Sequence, residues 1–71
     1  MINLEDEIRR FVRFRYQTIF DQVHARYARR PVPVVKQAIL DELRRAGTTP
    51  RMELVDQAAA FISDGGRFEL P

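Results

Sequence analysis

Apolar residues at positions 4, 8, 12, 16, 19, 23 and 27 recur at spacings of four and three. That is the period of an α-helix with one buried stripe. No proline or glycine interrupts residues 4 to 30. Asn3 is a suitable N-cap, and Glu5, Asp6 and Glu7 fall in the first turn, where carboxylates complement the helix dipole. The spacing predicts a long first helix from about residue 4 to about residue 29. Pro31 and Pro33 in "RRPVPVV" stop it, because the residue before a proline is pushed out of helical geometry.

A second helix is expected from about 34 to 46. Val35, Ile39 and Leu43 lie on one face, Arg44 and Arg45 sit in the last turn, and Gly47 follows as a C-cap. "TTP" then restarts the chain, with Thr49 as N-cap and Pro50 at the first helical position. The third helix runs from about 50 to 63, its stripe formed by Met52, Val55, Ala59 and Ile62. Residues 67–71, "RFELP", form a short extended tail. The pattern predicts one all-α domain over residues 1–71: three helices, the first of them long, and an extended C-terminal strap. A second layout stays open. "FISDGGRFEL", residues 61–70, also reads as two strands around an Asp-Gly-Gly turn, which would place a β-hairpin after a helix–turn–helix, as in a winged helix.

Length and composition narrow the picture. Seventy-one residues, 45% hydrophobic and 31% charged, suit a small folded domain with a marginal core. There is no cysteine, so disulfides and thiolate metal sites are excluded. The beginning "MINLEDEIRR" lacks the apolar run of a signal peptide, and no stretch is apolar enough to span a bilayer. A cytoplasmic location is the expectation. Arg outnumbers Lys eleven to one, a bias that GC-rich coding produces, and the overall look is that of a bacterial or phage accessory protein.

Enzymatic chemistry finds little to stand on. His24 is the one histidine, expected to be solvated on the polar side of the first helix. Ser63 and Asp64 have no second histidine for a triad, and Gly65-Gly66 lacks the Lys and Ser/Thr of a phosphate loop. Neighbouring carboxylates fan around a helix and do not converge on a metal. No catalytic residue, cofactor, metal or small-molecule substrate is expected.

Charge is informative through its placement. Residues 8–30 hold seven arginines against Asp21, an excess of six, whereas residues 31–71 hold five basic and six acidic groups. "IRRFVRFRY" and "IFDQVHARY" share the pattern I-x-x-x-V-x-x-R-Y at an offset of 11 residues, about three helical turns. Ile8, Val12, Tyr16, Ile19, Val23 and Tyr27 should therefore form one continuous ribbon, bordered by arginines on both edges. Phe14 points away from it. Something outside the three-helix core should cover that ring: a second copy, a partner protein or the tail's Phe68.

The expected function is a non-enzymatic protein-interaction module. It would self-associate through the first helix as a dimer, or bind a protein with an acidic surface, using Arg9, Arg10, Phe11, Arg13, Phe14 and Tyr16. The alternative is a DNA-binding accessory regulator of winged-helix or helix–turn–helix type, with Arg44, Arg45, Arg51 and Arg67 as nucleic-acid contacts. The third helix speaks against that alternative, since it adds Glu53 and Asp56 where phosphates would lie. Membrane binding is not expected, because the first helix lacks a clean apolar and basic division.

Overall fold

The computed structural model describes residues 4–70. Three helices follow one another: α1, Leu4–Tyr27; α2, Val32–Arg45; and α3, Met52–Ser63. The proposed cap Asn3 lies outside the described residues. No strand occurs among them, so the hairpin alternative is overturned. Phe61 and Ile62 belong to the last turns of α3, and residues 66–70, outside any helix or strand, pack back on the bundle through Phe68 and Leu70.

The helix ends explain where expectation and structure differ. α1 stops two residues early because Arg29 takes a left-handed backbone, φ +69°, and gives its N–H to the Ile62 carbonyl at 3.1 Å. Ser63 Oγ donates to the Arg30 carbonyl at 2.7 Å, so the end of α1 is tied to the end of α3. These bonds hold a conformation that a non-glycine residue rarely adopts. α2 begins at Val32 because Pro33 fits the first turn, where no intrahelical N–H is needed. Its C-terminus closes with Gly47 at φ +68°. Gly47 N–H bonds to the Arg44 carbonyl and Thr48 N–H to the Leu43 carbonyl, the paired bonds of a Schellman cap. α3 ends in the same way: Gly65 N–H bonds to Ile62 and Gly66 N–H to Phe61. A side chain on Gly65 would lie 3.0 Å from Arg29 Nε, so the glycine also clears space for Arg29.

α3 starts at Met52, not at Pro50. Thr49 does not cap it; Arg51 occupies the N-cap position with extended geometry and no side-chain cap bond. The reason is tertiary. The Tyr16 hydroxyl donates to the Thr49 carbonyl and accepts from Arg51 N–H at 3.2 Å, which holds residues 49–51 extended against α1.

The core gathers Tyr16, Ile19, Phe20 and Val23 of α1, Val35, Ile39 and Leu43 of α2, and Val55, Ala58, Ala59 and Ile62 of α3. Phe68 closes one side, edge-on to Phe20 at 5.5 Å and to Phe61 at 6.1 Å. The strap is fastened by one side chain. Gln17 donates Nε2 to the Phe68 carbonyl at 2.8 Å and accepts Leu70 N–H on Oε1 at 2.9 Å, so an amide side chain supplies the rung a neighbouring strand would have supplied.

Helix lengths set the overall shape. At 1.5 Å per residue, α1 with 24 residues is about 36 Å long, whereas α2 with 14 and α3 with 12 are about 21 and 18 Å. α2 and α3 both pack against the C-terminal part of α1. The N-terminal ten or so residues of α1 therefore project, and the molecule measures 44 × 21 × 19 Å.

Candidate interaction surface

Projection changes what the apolar residues of α1 do. The 11-residue ribbon is packed only in its C-terminal half, where Tyr16, Ile19 and Val23 are buried and Tyr27 is half-buried. Of its N-terminal half, Val12 is partly covered and Ile8 stays 55% exposed. Leu4 at 69%, Phe11 at 59% and Phe14 at 71% join it on the arm. At about 100° per residue, Phe14, Phe11, Leu4, Ile8 and Val12 occupy an arc of roughly 160°. Arg9, Arg13 and Arg10, with Asp6, occupy the opposite side. The arm is thus an amphipathic helix whose apolar side is only partly covered, by Arg15 over Phe11 and by Leu54 and Leu70 beside Ile8 and Val12.

Phe68 is committed to Phe20 and Phe61, so the tail does not cover Phe14. Arg15 sits inside the apolar arc, and its side chain lies across Phe11 toward the end of α2. Its Nη1 donates to the Ala46 carbonyl at the end of α2, 3.0 Å away, and its guanidinium carbon lies 5.1 Å from the centre of the Phe11 ring. A cation at a helix C-terminus and over an aromatic face is favourable on both counts.

Between the arm, the start of α3 and the strap lies a groove of about 640 Å³. Its floor is Ile8, Val12, Tyr16, Leu54 and Leu70; Arg9, Arg13 and Arg51 border it, and no carboxylate of the described residues does. Arg51 arrives there because Tyr16 binds its backbone N–H. Tyr16 itself is 2% exposed, with its hydroxyl engaged by Thr49 and Arg51, so it belongs to the core and reaches the groove only as part of its floor. Arg9, Arg10, Phe11, Arg13 and Phe14 are exposed, as a contact surface requires.

The four arginines grouped as nucleic-acid contacts are not brought to one surface. Arg51 faces the groove just described, and Arg44 borders a separate one beside Leu40, Thr48 and Pro50. Arg45 lies 3.5 Å from Glu42 on the α1–α2 side. Arg67 grips both Asp21 oxygens at 2.9 and 3.0 Å and also reaches Glu69. The Arg67 hydrogen bonds hold the Asp21 carboxyl below its ordinary range, against partial burial, while Asp21 raises the Arg67 guanidinium. That arginine fastens the strap.

His24 differs from its expected solvated state. It is half-buried, with Nε2 3.2 Å from the Gly65 carbonyl. Ser63 is engaged with Arg30. No group of three or more potential metal ligands gathers among the described residues, and no described helix is long and apolar enough to cross a membrane.

Leu4, Ile8 and the company Arg51 keeps escaped the sequence reading. The available signal was length: a first helix roughly twice as long as the other two cannot be covered by them along its whole stripe.

Fold and surface together define a class, a small three-helix domain carrying a projecting amphipathic helical arm. No family model matches the chain, and comparisons with curated proteins and with solved structures return no match.

Proposed function

We propose that this protein is a non-enzymatic interaction module that self-associates through the projecting half of α1 and in that state engages a protein partner. The observation that carries the reading is the row of Leu4, Ile8, Phe11 and Phe14, each more than half exposed on one side of the arm. With about 180–200 Å² for each free side chain, these four leave roughly 450–500 Å² of apolar surface open to water. A monomer's largest apolar patch is about 300–600 Å², and such patches are commonly functional. Burying this one on two copies, together with flanking arginine stems, approaches the roughly 1,200 Å² at which specific interfaces begin. An area of that size belongs with the small, weak and concentration-dependent interfaces.

The exposed guanidinium groups of Arg9, Arg10 and Arg13 favour a protein partner with an acidic surface. A nucleic-acid reading has less support. α3 turns Glu53 outward two residues from Arg51, Asp56 pairs with Lys36 of α2 at 2.8 Å, and Arg44, Arg45 and Arg67 are spread over other faces.

Size-exclusion chromatography with light scattering, run across a concentration series, tests self-association. The expected mass rises toward twice the 8.3 kDa of one chain, and Ile8→Asp returns it to one chain with helicity retained. A mass of one chain at every concentration would overturn the reading.

A further inference from the structure

The Arg-bordered groove is where the bundle's own core runs out. Val12 and Tyr16 continue the core-facing stripe of α1, but α3 begins beside Tyr16, so Val12 is only partly covered and Ile8 is more than half exposed. An occupant of that space must present apolar side chains to Ile8, Val12, Leu54 and Leu70, and negative charge to Arg9, Arg13 and Arg51.

We infer that the occupant is the acidic first turn of α1 from a second copy, the two arms lying antiparallel about a two-fold axis near Ile8 and Arg9. This inference rests on the self-association proposed above and adds its register. The charge order along the arm supports it. Glu5, Asp6 and Glu7 form an acidic block centred on residue 6, and Arg9, Arg10 and Arg13 form a basic block centred near residue 11, Arg15 being engaged with the Ala46 carbonyl. An antiparallel pair with its axis near residue 9 lays each acidic block against the other copy's basic block. A parallel pair would lay like on like and be disfavoured.

The same axis brings Leu4 of each copy level with residues 12 to 14 of the other, where Val12 lies on the floor of the groove and Phe14, on another side of the arm, stays outside it. Residues 4–14 overlap over about 16 Å. Such a contact is isologous, so it closes at two copies. Arg51 enters from α3, which makes the site larger than a simple helix pair. The N-terminus of α3 opens onto the groove without a side-chain cap, and its dipole adds to the attraction for carboxylates. The like-charge approaches are those of Arg9 and Arg10 to their symmetry mates, and the long stems let the heads diverge.

Charge exchange tests the register, with mass and dissociation constant read by sedimentation and helicity by circular dichroism. Arg13, Arg51, Asp6 and Glu7 are all exposed, so their reversal spares the core. The paired variant Arg13→Glu with Arg51→Glu is expected to weaken self-association roughly 10- to 100-fold. Asp6→Lys with Glu7→Lys is expected to do the same. An equimolar mixture of the two variants should restore a heterodimer close to wild-type affinity. If the wild type dimerises and the Arg13/Arg51 variant dimerises as tightly, or the mixture gives no heterodimer, the register is wrong although self-association stands. If the lysine variant loses helicity, the Arg13/Arg51 variant decides alone, since Glu at the start of α3 favours that helix. A wild type that is monomeric at every concentration would instead remove the self-association reading itself.

Discussion

Replacing Tyr16 by Phe deletes a single oxygen that serves two backbone groups. The hydroxyl donates to the Thr49 carbonyl and accepts from Arg51 N–H, and the ring around it is buried. Phe keeps the ring, its T-shaped contact with Phe20 and nearly all of the packed volume. The loss is therefore confined to two hydrogen bonds. A net contribution of about 0.5–1.5 kcal/mol each, raised where a partner is left unpaired, gives about 1.5–2.5 kcal/mol. A 71-residue domain has roughly 3.5–10 kcal/mol of stability in all. The variant should stay folded in water while its melting temperature falls by about 10 °C. Urea unfolding followed by far-UV circular dichroism measures the change. Tyr27→Phe is the control, because the Tyr27 hydroxyl has no hydrogen-bond partner among the described residues; its cost should stay below about 0.5 kcal/mol. If Tyr16→Phe cost no more than that control, water would be replacing the hydroxyl at no penalty, and the clasp would not explain why α3 starts at Met52.

Two further outcomes follow from the strap. Phe68→Ala removes the ring lodged against Phe20 and Phe61 and should cost about 2–3 kcal/mol in the same urea assay; a loss below about 0.5 kcal/mol would show that the strap merely drapes over the core. Asp21 contributes through its depressed folded pKa, so its stabilisation is present above the unfolded value near 3.9 and is lost as pH falls through the lower folded value. The side chain is more than a third exposed, which limits the effect to about 1 kcal/mol or less. Asp21→Asn should be slightly less stable than wild type at neutral pH, the two converging as pH drops below about 4; parallel curves over that range would assign the pair no role in folding.

Much of the architecture was legible along the chain, since it depends on neighbours in sequence. Spacing of apolar residues marked α1, α2 and α3, prolines separated the first two, and Gly47 and Gly65 sit at the positive-φ positions that close α2 and α3. The projecting Phe14 was also visible as a misfit to the ribbon, because its angle around the helix depends only on its number. Other features were beyond that reach. Whether Ile8 belongs to core or surface depends on where α2 and α3 stop beside α1, and periodicity is silent about that. Thr49 and Pro50 have the chemistry of a helix start, yet the Tyr16 hydroxyl, 33 residues away, claims the Thr49 carbonyl. "RFELP" has the alternation of a strand, and the rung it finds is the side chain of Gln17, 51 residues from Phe68. Arg51 joins Arg9 and Arg13 only because α3 is clasped to the middle of α1. The sequence by itself determined which residues could be helical and which faces would be apolar, for those follow from local backbone geometry. Tertiary structure alone decided which length of the apolar stripe is buried and which arginines share a groove, because both depend on where helices of unequal length come to rest against one another.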